Sequence, residues 1–209
     1  IAIVVEIKDP WHPASEFGAK IVNDIIRQFQ TSVASSFLTR FEDSLKYVNR
    51  TVRDATNQLN APVSCAALLL ESDQVHSSGI GTASLGLYRQ NRLATIFGRR
   101  GSQSEIFTSV TSGDLRQGDW LCLANQDFFA ELGQLALEKW QRNPTELLEH
   151  FRQAQDLTNK HSAGIMLRYN QEEAVVNHTI FWEEAAAAKT SSTEFSLSGL
   201  RANVRPIVK

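Results

Sequence analysis

No apolar run in this 209-residue sequence approaches the roughly 18 residues needed to cross a bilayer, and its first residues lack the basic-then-apolar layout of a secretory signal. No membrane span is therefore expected in this chain. Cysteine is scarce: Cys65 and Cys122 are the only two, each inside an apolar run, VSCAALLL and WLCLA. Free cysteine in such a setting behaves as a small buried hydrophobe. Neither a disulfide framework nor a cysteine metal site is expected, and the reducing compartment this implies is the cytoplasm. Net charge is scarce too, since 21 Lys and Arg against 23 Asp and Glu leave −2. No uniform field then draws the chain to nucleic acid or anionic lipid, and no nucleic-acid partner is expected. What is present is an ordinary globular composition, 42% hydrophobic and 21% charged, sufficient for one substantial core. The sequence opens at Ile1 within a strand-like run, so a piece of a longer protein is expected.

IAIVV at 1–5 is β-branched and apolar throughout, as a strand buried on both faces would be. After DPWHP, Phe17, Ile21, Val22, Ile25, Ile26, Phe29 and Val33 recur at helical spacing. Phe41, Leu45, Val48, Val52, Ala55 and Leu59 mark a second helix, and such a pair suits packing side by side on a sheet. Residues 62–124 change to short β runs with turns at Ser72-Asp73-Gln74 and Gln90-Asn91, an antiparallel meander. Within it IFTSV at 106–110 reads as a strand, SGD as a turn, and DWLCLA as the next strand. Helical pattern returns from Phe128 to Trp140 and from Asn143-Pro144 to about Gln155, then strand at 163–169. Helices paired around a meander imply an α+β fold with layers of helix on sheet. The expected division is a main domain at 1–172, an additional strand or helix at 173–189, and a polar tail or linker at 190–209.

Three stretches carry a family resemblance. FTSVTSGDLRQGDWLCLANQDFFAEL is similar to the segment of the metal-dependent type 2C (PPM) Ser/Thr protein phosphatases in which a Gly-Asp, a strand and an Asp-Gly corner follow one another. IAIVVEIKDPWHPASEFGAKIVNDII resembles their first strand, Gly-rich turn and helix, and SGIGTASLGLYRQNRLATI their Gly-Asp-Ser-Arg hairpin. The resemblance implies a four-layer αββα sandwich, two antiparallel sheets flanked by helix pairs. It also implies chemistry in which two divalent cations, Mg²⁺ or Mn²⁺, bridged by an Asp, activate water for attack on a phosphoryl group.

The ligands do not carry over. Glu6-Ile7 or Ile7-Lys8 stands at the family's first Asp-Gly, Asn125-Gln126-Asp127 at its Thr-Asp-Gly, Lys160-His161 at its late Asp-Asn, and Gly81-Thr82-Ala83-Ser84 at Gly-Asp-Ser-Arg. Glu6, Gln126 and His161 are thus the former metal positions, with too little negative charge left for two hard cations. No metal and no cofactor are expected. The reading is a catalytically inactive phosphatase-like domain, a pseudophosphatase, that serves as a protein-binding or regulatory module in signalling. Its partner would be a protein, in the first instance a kinase or another part of the parent chain. Alternatives are an active phosphoserine and phosphothreonine phosphatase with Glu6 and Asp127 as displaced Mg²⁺ or Mn²⁺ ligands, or a small-molecule sensor with Trp11 and Phe128 lining the old cleft.

Other residues read more plainly. Asp127, just before a helix, is expected to cap it, as is His12 ahead of Pro13. Isolated His76 and His161 do not make a zinc site. Ser64 and Cys65 lack a visible base, and Ile1 is no N-terminal nucleophile. Arg99 and Arg100, set between glycines in GRRGSQSE, are the candidates for a phosphate or acidic-partner contact.

Overall fold

The computed structural model describes residues 1–8, 13–59, 61–90, 92–98, 106–132 and 163–170. The first strand, β1 (Ala2–Ile7), is followed by α1 (Pro13–Thr31) and α2 (Phe37–Leu59). The meander comes next: β2 (Val63–Glu71), β3 (Gln74–Ile80), β4 (Ser84–Arg89), β5 (Arg92–Phe97), β6 (Thr111–Asp114) and β7 (Trp120–Ala124). Helix α3 (Gln126–Leu132) and β8 (Gly164–Arg168) complete the described elements. Two antiparallel four-stranded sheets result, ordered β1-β2-β3-β6 and β5-β4-β7-β8.

Period-two alternation sorts the layers. In β1, Ile3, Val5 and Ile7 join Cys65, Ala67 and Leu69 against Ile21, Ile25, Phe41, Leu45, Val48 and Val52 of the helix pair. The alternate residues, Ala2, Val4, Ala66 and Leu68, face Leu85, Leu121, Leu123 and Leu167 of the second sheet. Phe97 of β5 crosses this inter-sheet layer so closely that a Cβ on Gly79 of β3 would lie 2.2 Å from its ring. Phe128 and Phe129 of α3 lie on the outer face of the second sheet, against Gly164 and Gly86. The architecture is the α+β sandwich expected, with the helix pair α1–α2 on one side and α3 on the other. The remainder of the expected second helix pair, the strand or helix at 173–189 and the tail at 190–209 lie outside the described residues.

Helix α1 stops at Thr31, so Val33, counted on its apolar face by spacing, is fully exposed beyond its end. Ser36 caps α2 by accepting the Thr39 N–H at 3.1 Å. The two helices are also joined by buried Asp24, whose carboxylate receives Thr51 Oγ1 at 3.0 Å, Lys20 and Arg27. Among the described residues strand β1 pairs with β2 alone, and it is less fully buried than its composition implied.

The strand expected at 106–110 lies instead at 111–114. Phe107 is buried, and its N–H and C=O are bonded by the side chain of Asn49 at 2.8 and 2.9 Å, while Ser78 Oγ donates to the Ser109 carbonyl. Those side chains satisfy the backbone that a sheet neighbour would otherwise pair. The chain then pairs through the exposed TSGD with Gln74–Ser77 of β3. The turn falls later, where Gly118 takes φ 84° and the Asp119 N–H donates to the Arg116 carbonyl.

Candidate functional site

Strand β7 ends at the corner where a metal ligand would stand by resemblance. Of its three polar residues, Asn125 points inward and is 1% exposed, Gln126 is exposed, and Asp127 is half-buried. Asn125 also performs the capping expected of Asp127: its Oδ1 accepts the N–H of Phe128 at 3.0 Å, three residues into the turn. The same oxygen accepts the Ala163 N–H at 3.2 Å, and the Asn125 N–H donates to the Ala163 carbonyl. An Asn suits this better than Asp because its amide also carries donors. One of them reaches across the sandwich, Nδ2 donating to Glu6 Oε1 at 2.9 Å.

Glu6 arrives from the other sheet. It lies two residues beyond Val4, hence on the inter-sheet face, opposite Ser64 of β2. Its side chain is only 11% exposed. Lys8, two residues further and on the same face, brings Nζ to 3.7 Å from Glu6 Oε1 and 3.8 Å from Asp127 Oδ2. Burial pushes the Glu6 carboxyl above the usual carboxylate range; Asp127 adds to this, while Lys8 and the Asn125 bond oppose it. Oε2 of Glu6 is buried without a hydrogen-bond partner.

Beside this corner Ser64 Oγ accepts the Thr82 N–H at 3.0 Å and lies 3.0 Å from its hydroxyl. The turn depends on Gly81, at φ 63°, because a Cβ there would lie 2.5 Å from Ser64 Oγ. The Gly of the resembled hairpin is therefore present for backbone geometry, and Ser64 is committed to that turn. Cys65 faces the helix pair, whereas Cys122 alternates with inter-sheet Leu121 and Leu123 and so faces the outer side of the second sheet. Both are free, and burial pushes both thiols far up, which leaves no nucleophile in either. His76 is buried, with Nδ1 2.7 Å from Ser112 Oγ, and joins β3 to β6.

The cation pair implied by resemblance does not fit this donor set. Hard divalent ions need several carboxylate or carbonyl oxygens. Here two carboxylates already share an ammonium, the Asn125 oxygen is spent on two N–H groups, and its NH₂ faces Glu6. Among the described residues no group of three or more His, Cys, Asp or Glu could hold a metal ion. Glu6 and Asp127, the residues singled out in the sequence, are thus brought together, but through Lys8. Gln126 stands outside the corner, and Phe128 packs beneath Gly164 rather than lining an inter-sheet cleft. Asp9, Trp11, His12, Arg99, Arg100, Lys160 and His161 lie outside the described residues.

Two participants were missed in the sequence. Asn125 carried a signal, an N-cap residue type directly before an apolar helical run, and Lys8 carried one too, two residues from Glu6 along a strand.

No family model and no curated protein matches the sequence. Solved structures do match. A serine/threonine phosphatase of S. agalactiae superposes with a TM-score of 0.63 at 13% identity, covering 80% of this chain and 86% of its own. The SiaA-PP2C domain of Pseudomonas aeruginosa gives 0.53 at 10% identity, over 80% and 75%. The catalytic domain of the phosphatase PstP in complex with two manganese ions gives 0.52 at 11% identity, over 78% and 84%. At these identities the likeness is one of fold: this chain has the fold of the type 2C (PPM) phosphatases.

Proposed function

We propose that this chain, having the type 2C phosphatase fold, is a catalytically inactive member of it that serves as a protein-binding or regulatory module. The observation that carries the reading is the Lys8 ammonium set between Glu6 and Asp127, at 3.7 and 3.8 Å. A corner that supplies its own positive charge has little electrostatic demand for an added cation. Without one, nothing there lowers the pKa of a water or polarises a phosphoryl oxygen.

The partner class is a protein, a kinase or another part of the parent chain, and the free buried cysteines favour a cytoplasmic setting. No helix among the described residues is long and apolar enough to cross a membrane. The contact assigned to Arg99 and Arg100 is tested by a pull-down with both changed to Glu. Loss of the captured protein supports that loop, and an unchanged set removes it.

Inactivity is tested by titrating the purified chain with Mn²⁺ in a calorimeter and assaying release of phosphate from phosphoserine and phosphothreonine peptides. The expected outcome is neither two-ion binding nor turnover. Binding of two ions at millimolar or lower concentration together with turnover establishes the active alternative with displaced ligands.

A further inference from the structure

Two carboxylates from different layers meet on one positive charge at this corner of the sandwich. Glu6 belongs to β1 of the first sheet, Asp127 to the helix carried by the second, and Lys8 Nζ lies within 3.8 Å of both. Among the described residues no other cation is paired with either acid. The Asn125 amide donates to Glu6 Oε1 but carries no charge, and Glu6 Oε2 is buried with no hydrogen bond at all. Lys8 itself is 53% exposed, so its charge is held by the two acids rather than by burial.

We infer that Lys8 is a tethered cation that keeps a divalent ion out of the Glu6–Asp127 corner, and that removing its charge opens the corner to Mn²⁺ or Mg²⁺. This rests on the reading of the chain as inactive and names the side chain that holds it so. An ammonium beside both acids repels an incoming divalent ion and offsets one of their two negative charges. Hard cations are held by carboxylate oxygens, and Glu6 Oε2 brings an unspent one. With the ammonium gone, two carboxylates from facing layers repel each other across the corner, and a divalent ion is the simplest relief.

Lys8→Met keeps the apolar stem and deletes the charge; Lys8→Gln does so with a polar head, should the Met variant aggregate. Mn²⁺ alone is the probe, read by calorimetry and by melting temperature with and without the ion. The wild type and Lys8→Arg should give neither heat nor shift. Lys8→Met or Lys8→Gln should bind one ion at a concentration at least about tenfold below the highest at which the wild type stays silent, a difference of at least about 1.4 kcal/mol. Both should also melt higher when Mn²⁺ is added. Adding Glu6→Gln to either should abolish the gain. If these variants fold and show no Mn²⁺ binding while the wild type is also silent, Lys8 is not the excluding group, and the inactive reading stands. If the wild type binds two ions and turns over phosphopeptide, the inactive reading falls and this inference with it.

Discussion

Strand β7 has an acid withdrawn from solvent near each end, Asp119 buried and Glu6 partly buried, and the two are treated in opposite ways. Asp119, 2% exposed and just before the strand, is saturated: Arg89 donates to it through Nε at 2.9 Å and through Nη2, and the Arg116 N–H donates at 2.7 Å. At the far end, Glu6 meets the strand through Asn125 with one oxygen bonded, the other orphaned, and an ammonium at ion-pair distance. Buried polar groups are normally satisfied, and incompletely satisfied charges concentrate at sites of function or former function. The Asp119 end is therefore a structural clamp, whereas the Glu6 end keeps an acid whose hydrogen bonding is incomplete.

That contrast is broken most severely at the clamp. Asp119→Ala should lower the unfolding free energy by about 3 kcal/mol, the scale for removing one partner of a buried, hydrogen-bonded charge pair. Urea unfolding checks it, and a loss no larger than that of an exposed ion pair would deny the clamp its role. Asn125→Ala comes next, at about 2 kcal/mol, because it removes a helix cap and the bond to Glu6 together. Asn125→Asp separates the two losses. It keeps the cap but places a carboxylate against Glu6, so it should be destabilised at neutral pH and recover when Mn²⁺ is added. A melting curve insensitive to Mn²⁺ would count against ion binding by this set of carboxylates.

The same contrast explains what was legible in the sequence. The paired helices and the inner strands announced themselves because one face of each is buried and periodicity records which face that is. β6 did not: TSGD is exposed at every position, and its place is set by backbone pairing to β3 after Asn49 has satisfied the backbone of Phe107. At the site, Glu6 stood out as an acid ending an apolar strand. Lys8 did not stand out, since a lysine after a strand is ordinarily solvent-facing. Only the meeting of the two sheets places its head against Asp127. Motif spacing pointed to Gln126, whereas the strand delivers Asn125 inward, a one-residue difference that alternation converts into opposite faces.

The smallest effect is the most discriminating, because it reads the Glu6 end alone. A carboxyl whose folded pKa lies above its unfolded value, about 4.3 for glutamate, binds protons more readily in the native state. Stability therefore falls as pH rises from the unfolded value through the raised native one. Glu6→Gln removes that titration while its amide oxygen can still accept from Asn125. The variant should match or slightly exceed the wild type in stability at pH 7, by less than Asn125→Ala subtracts. Its advantage should shrink as pH is lowered past the native Glu6 pKa, where the wild-type carboxyl is also neutral. Unfolding free energies of both proteins across that range decide the matter. A Glu6→Gln variant that is less stable at pH 7 would mean that Lys8 and Asn125 together more than offset the cost of burying the charge. The Glu6 end would then be a second structural clamp.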